Sequence, residues 1–154
     1  MNENMIAMCG MNCSLCVSYQ AMVNDINKAG FHRRYCPGCV ERGKNCTFMK
    51  EHCNKVAKGL VRFCYECDEF PCKRLKALDH RYKTKYDMSM IENLNNIKEN
   101  GMSSFLVEQE KKWQCEKCGG IVSCHVKACL KCDIDKMKES KLLENKRKKD
   151  EKSK

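Results

Sequence analysis

Aromatic residues are scarce in this 154-residue chain: one Trp, five Tyr and five Phe. Together with a mean hydropathy of -0.66, that scarcity leaves little side chain for a large apolar core. It excludes folds such as the α/β barrel, which typically needs about 200 residues or more. No stretch approaches the roughly 18 apolar residues that a membrane-spanning helix requires. The opening MNENMIAMCG has neither the basic nor the apolar region of a secretory signal. There is no P-loop and no dinucleotide fingerprint. The histidines are His32, His52, His80 and His125. None stands in an H-E-x-x-H or H-x-E…C-x-x-C arrangement, which removes the zinc protease and zinc deaminase classes. Nothing in the chain marks a catalytic residue or a small-molecule substrate.

Cysteine, by contrast, is abundant. Fifteen occur, at Cys9, Cys13 and Cys16; Cys36, Cys39, Cys46 and Cys53; Cys64, Cys67 and Cys72; and Cys115, Cys118, Cys124, Cys129 and Cys132. Disulfides belong in oxidising compartments, and neither the odd count nor the missing signal fits that use. A reducing, cytoplasmic setting and metal binding are expected instead. Thiolates two residues apart are aimed by a tight turn at a common point. As soft ligands they select zinc, copper(I) or iron–sulfur clusters over hard cations.

The formal charge of +10 is unevenly spread. From Lys136 to Lys154 there are nine basic and four acidic residues. Three Zn²⁺ held by twelve thiolates would bring the remainder of the chain close to neutrality. Residues 1–73 hold ten cysteines, 74–112 none and 113–133 five. The expected organisation is therefore a Cys-rich metal-binding domain over 1–82, a helical connector over 83–112, a zinc-ribbon-like module over 113–133 and a basic charged tail over 134–154. The expected fold class is a small metal-stabilised α+β protein, mainly short helices and metal knuckles, with a C-terminal zinc-ribbon-like hairpin.

Several helices can be placed by spacing. Val17, Met22, Val23 and Ile26 recur at helical intervals up to Gly30, and Met49, Cys53, Val56, Leu60 and Phe63 form a second stripe. Asp68 is a candidate cap for a helix entered through Pro71 and carrying Leu75 and Leu78. Ser89-x-x-Glu92 reads as a capping box for a helix through Leu94 and Ile97, closed by Gly101. Ser103 or Ser104 is a candidate cap for the next helix, up to Lys112.

Cys115-x-x-Cys118 and Cys129-x-x-Cys132 resemble a short zinc ribbon, with Gly119-Gly120 permitting the positive φ of a knuckle. Cys124 and His125 are surplus: either could substitute as a ligand, His125 lying four residues before Cys129, but the favoured reading makes them surface residues of the hairpin. In the N-terminal half, Cys9-x-x-x-Cys13-x-x-Cys16 matches the cysteine spacing of radical SAM enzymes, but the chain is too short for their barrel. Cys36-Pro37-Gly38-Cys39 suits a metal knuckle better than a thiol–disulfide centre, because no βαβ pattern surrounds it. Cys64, Cys67 and Cys72 offer three further ligands. The working assignment joins Cys13 and Cys16 with Cys36 and Cys39, and Cys53 with Cys64, Cys67 and Cys72. Cys9 and Cys46 remain ligand candidates without an assigned partner set.

MIAMCGMNCSLCVSY, CPGC, CYECDEFPCKRL and FLVEQEKKWQCEKCGG together resemble the Cys-rich prokaryotic family called domain of unknown function 3795, over about residues 5–133. Met8 and Met11 replace a Tyr and a Leu of its usual opening. Cys9, Cys13, Cys16, Cys36, Cys39, Cys64, Cys67 and Cys72 fall on the family's cysteine pattern. The resemblance implies metal binding, mainly of zinc, and no established activity.

The leading expectation is a cytosolic zinc-stabilised module, with about three Zn²⁺ sites, that binds a protein or nucleic-acid partner and no membrane. The basic tail and Arg81 to Tyr86 would meet phosphates, unless Tyr82 and Tyr86 are simply a packed helix face. The alternative is an iron–sulfur or thiol redox or sensor protein with a 4Fe–4S cluster in the N-terminal half. The bacterial ferredoxin cysteine run is absent. A copper(I) buffer using Met5, Met8 and Met11 is a third possibility.

Overall fold

Two asparagine-capped turns, with one glycine between them, decide how the first fifteen residues fold. The computed structural model describes residues 1–42 and 53–139; Cys46, Met49, His52 and the tail from 140 onward lie outside the described residues. Asn2 caps a 3-10 turn at Glu3–Met5, and a bridge between Ile6 and Asn12 closes a small loop. Gly10 sits in that loop at φ +82°, where a Cβ would lie 2.4 Å from the Met90 carbonyl oxygen. Only glycine permits both the backbone angle and the close approach. Asn93 donates to the Gly10 carbonyl at 2.9 Å. Asn12 then caps the second 3-10 turn, Cys13–Leu15.

Helix α1 spans Val17–Val23 and α2 Asn54–Ala57. A 3-10 turn at Cys64–Glu66 leads to three longer helices, α3 (Lys73–Tyr86), α4 (Met90–Asn100) and α5 (Met102–Lys112), with α4 in contact with both of the others. Strands β1 (Val122–Ser123) and β2 (Ala128–Cys129) pair antiparallel, Val122 facing Cys129. The chain is thus a small α+β protein of short helices with one two-stranded sheet. Among the described residues no helix is long and apolar enough to cross a membrane.

The main core is built on α4. Met90, Leu94 and Ile97 meet Leu75 and Leu78 of α3, Phe105 of α5, and the N-terminal Ile6, Ala7 and Leu15. Cys9, Cys13, Cys64 and Cys124 are buried in the same cluster. A second, much smaller core joins Val17, Ala21 and Ile26 with Phe31 and the hairpin's Leu130. Each large apolar side chain buried contributes about 1.5–3 kcal/mol, so this second core supplies little by itself.

The capping box is half realised. Ser89 Oγ accepts from the Glu92 N–H at 3.1 Å and donates to Asp79 at 2.7 Å. Glu92 itself turns to Lys83 of α3. Three expectations are corrected. The Met49–Phe63 stripe is helical for only one turn in its described part: α2 ends at Ala57, Gly59 takes φ +66° and Leu60 is exposed. Asp68 caps nothing, because Lys55 holds its carboxylate, and Cys72 occupies the N-cap of α3. Gly101, not a serine, precedes α5, which leaves Ser103 and Ser104 inside the helix.

Candidate metal centres

The C-terminal pairs converge because each is folded into its own tight turn. Cys115 donates to the Gly120 carbonyl at 2.6 Å and accepts from the Gly119 N–H at 2.8 Å. Gly119 adopts φ +69°, and a Cβ on Gly120 would stand 3.3 Å from the Cys118 sulfur. In the second turn, the Asp133 N–H donates to the Cys129 carbonyl at 2.8 Å, and its carboxylate accepts from the Cys129 N–H at 3.2 Å. A Lys117–Asp133 ion pair of 2.9 Å ties the two turns together.

The four sulfurs of Cys115, Cys118, Cys129 and Cys132 all lie within 4.8 Å of one another, with Cys118 and Cys129 at 3.7 Å. A tetrahedral ion about 2.3 Å from each sulfur would set them about 3.8 Å apart. Every described cysteine is a free thiol. The cluster could hold a metal ion. Its thiols already share protons unequally: hydrogen bonds from Cys132 and the Gly120 N–H bring Cys118 down to about 7, while Cys132 is pushed up to about 12. A cation bound among them would replace the protons these thiols hold.

Cys13, Cys16, Cys36 and Cys39 form a second, looser group. The Cys39 N–H donates to the Cys13 sulfur at 3.3 Å. The hydrogen bond that the Cys13 thiol donates to the Cys39 sulfur, with burial behind it, raises Cys13 far above the usual thiol range. Burial raises Cys16, with the charges of Cys36 and Cys39 adding to it. The Pro37-Gly38 turn packs against the first loop, the Cβ position of Gly38 lying 3.3 Å from the Met5 sulfur. Arg42 approaches Cys36 at 3.5 Å.

The third group is Cys53, Cys64, Cys67 and Cys72, which line one cavity of about 30 Å³ with Val56, Phe70 and Leu75. A cavity this small has room for about one water-sized occupant. Burial pushes Cys64 up to about 12, helped by the charges of Cys53, Cys72 and Cys67. Lys55 reaches the Cys67 sulfur at 3.5 Å while bound to Asp68, which raises the lysine. Its cation and the two carboxylates Asp68 and Glu69 frame the thiols. Lys55 was not singled out by sequence; its position on the single turn of α2, two residues after Cys53, is the signal that pointed to it.

Cys9 is buried in the main core. The surface reading of Cys124 and His125 is corrected. Cys124 is 0% exposed, and its N–H donates to the Leu15 carbonyl at 3.1 Å. Ser123 Oγ donates to the same carbonyl at 2.9 Å. Strand β1 docks on the Cys13–Leu15 turn, so the following residues point inward. Burial, then the charge of Cys16, pushes Cys124 up to about 12, which makes it a fifth thiol beside the first N-terminal group. His125 Nδ1 accepts from the Val17 N–H at 3.4 Å, and its ring packs on Tyr82 and Tyr86. Burial, then the positive charge of Arg33, lowers its pKa. The two tyrosines are thus committed to internal packing.

A family model described as "Protein of unknown function (DUF3795)" matches residues 5–77, the segment that runs from the first cysteine loop into α3. The motif FLVEQEKKWQCEKCGG lies beyond that match. No curated protein and no solved structure matches the chain.

Proposed function

We propose, from an N-terminal segment that carries the DUF3795 pattern, that this is a cytoplasmic zinc protein whose metal centres hold together a module for binding a protein or nucleic-acid partner. The observation that carries the metal reading is the gathering of four C-terminal sulfurs within 4.8 Å. A single ion fits that spacing, whereas a cubane cluster would have to stand between the sulfurs and force them apart. Four thiolates close the coordination sphere and leave no position for water, which favours a structural over a catalytic ion. The two N-terminal groups, Cys13, Cys16, Cys36 and Cys39 and Cys53, Cys64, Cys67 and Cys72, are read as further zinc sites. The looser gathering of the first, with Cys124 as a fifth thiol beside it, is what favours a second reading there, an iron–sulfur centre.

The test is anaerobic purification followed by zinc, iron and sulfide per chain and a visible spectrum. About three zinc ions in a colourless solution support the proposal. Iron with stoichiometric sulfide and a broad visible band would replace it with the redox reading. An N-terminal half without metal would confine the proposal to the hairpin.

A further inference from the structure

A run of unpaired positive charge lies along α3. The helix turns its apolar stripe, Leu75, Leu78, Tyr82 and Tyr86, to the main core. Its opposite side is exposed and carries two adjacent rows of residues four apart. One row is Lys73, Ala77, Arg81 and Lys85; the other is Lys76, His80 and Thr84. Neither row holds an acidic side chain. Asp79, the sole acid of α3, is turned away to accept from Ser89 Oγ at 2.7 Å and the Ile91 N–H at 2.9 Å. Lys83 is answered by Glu92 of α4. Lys73, Lys76, Arg81 and Lys85 make no ion pair among the described residues. The first turn has no acid either, although positive charge there opposes the helix dipole. A filled Cys72 group, with a net charge of about −2, would offset Lys73 and Arg74. Arg81 and Lys85 lie about two and three turns further along. Beyond them the basic surface continues. Tyr82 and Tyr86 pack on His125, and Val126 and Lys127, which follow it, line one cavity with the exposed Arg33. Asn27 pins the Arg33 loop, accepting from its N–H at 2.8 Å and donating to its carbonyl at 3.1 Å.

From this exposed face, basic throughout and without an apolar anchor, we infer that α3, with Arg33 beside it, docks on the phosphate backbone of duplex DNA. A bilayer would take up an apolar helix face, but the apolar stripe of α3 is spent on the core. A protein interface is centred on a large apolar or aromatic anchor, and Ala77 is the only apolar side chain in either row. A single strand needs exposed rings on which its bases stack, and Tyr82 and Tyr86 are packed against His125. Duplex RNA is distinguished by contacts to its 2′-hydroxyls, and Thr84 Oγ1, the one hydroxyl in the two rows, donates to the His80 carbonyl at 2.8 Å. Phosphates ask only for charge. The helix rises about 18 Å from Lys73 to Lys85, a length over which one DNA strand presents about five phosphates.

This deepens the partner-binding reading above and rests on its nucleic-acid arm alone. The experiment uses full-length protein as purified and fluorescence anisotropy of a fluorescein-labelled DNA duplex two helical turns long. A single strand and an RNA duplex of the same length serve as further probes. Saturable binding of the DNA duplex is expected, weakening at least about tenfold between about 50 and 200 mM salt. Arg81→Glu with Lys85→Glu should weaken it at least about tenfold and flatten the slope of log K against log salt by about 2, as loss of two phosphate contacts predicts. Lys83→Gln removes a cation already paired with Glu92 and should change affinity less than about threefold.

Absence of duplex binding overturns the inference. So does tighter binding of the single strand or of duplex RNA, or equal competition by a polyglutamate peptide. Binding that ignores Arg81 and Lys85, yet disappears when the tail carries Lys146→Gln, Lys148→Gln and Lys149→Gln, overturns it as well. Zinc content and circular dichroism of every variant separate the two proposals. Folded protein that holds zinc and binds no duplex fails this inference alone. Duplex binding that depends on Arg81 and Lys85 in protein without zinc fails the zinc reading alone.

Discussion

The hairpin cluster and the N-terminal thiol groups use the same ligands to opposite ends. In the hairpin, Cys132 is exposed and the backbone around the sulfurs is held by a few turn hydrogen bonds. Leu130 is its contribution to the small core, and Cys124 its contribution to the main one. In the N-terminal half, Cys13 and Cys64 are buried members of the main core and are packed by α3 and α4. There the thiols double as hydrophobic filling, as buried cysteines commonly do. The first region gathers its sulfurs closely in turns of its own, and its remaining anchorage is the docking of Ser123 and Cys124 on Leu15 and of His125 on α3. The second has a core of its own and gathers its sulfurs less closely. A metal ion should accordingly decide whether the hairpin folds, and should only reinforce the N-terminal half.

The sharpest way to break this contrast is Cys115→Ser with Cys118→Ser. Apparent binding energies of structural zinc run to about 10–16 kcal/mol, so the expected result is loss of one metal per chain and of amide protection across 113–133. Protection in α3, α4 and α5 should persist by hydrogen-exchange mass spectrometry; global loss would show that the two regions fold as one unit. In the other direction, Phe105→Ala removes a 0% exposed ring from the main core and should cost about 3–5 kcal/mol in urea unfolding. Metal in the hairpin should survive that substitution under native conditions.

Gly10→Ala comes next. The new methyl meets the Met90 carbonyl at a φ of +82°, and a destabilisation of about 1–3 kcal/mol is expected from backbone strain and overpacking. A change below about 0.5 kcal/mol would mean that the first loop is not pressed on α4. The last contrast concerns pH. In the hairpin Cys118 sits low, at about 7, beside the raised Cys129 and Cys132, whereas every shifted thiol of the N-terminal groups, Cys13, Cys16 and Cys64, is raised. A depressed thiol gives up its proton readily above its folded pKa, while raised thiols retain theirs until a metal displaces them. Zinc titrated into metal-free protein near neutral pH should therefore fill the hairpin first, with lower pH widening the lag of the N-terminal groups. Cysteine footprinting at partial loading would read the order; simultaneous filling would count against it.

The parts of this molecule legible in its sequence are those determined locally. Ser89 and Glu92 announce a helix start because the cap is made within four residues, and Cys115 with Cys118 announces a knuckle for the same reason. Gly119 shows where the chain turns. What escaped was determined at a distance. Cys124 reads as a surface residue until β1 is laid against Leu15, more than a hundred positions earlier. Asp68 looks like a cap until Lys55 takes its carboxylate. The stripe from Met49 to Phe63 has helical spacing, but Gly59 ends the turn, and spacing alone does not register that. Tyr82 and Tyr86 fit a nucleic-acid surface and a packed face equally well by period. His125, brought in by the hairpin, decides for packing.

The carbonyl of Leu15 receives both the Cys124 N–H and the Ser123 hydroxyl. It lies between Cys13 and Cys16, and its partners are synthesised more than a hundred residues after it. Until they arrive, that oxygen has only water to bond, and the first cysteine loop stands open on the side the hairpin later covers. Birth order thus leaves an interval in which the N-terminal thiols are accessible to metal delivery, and arrival of the hairpin ends it.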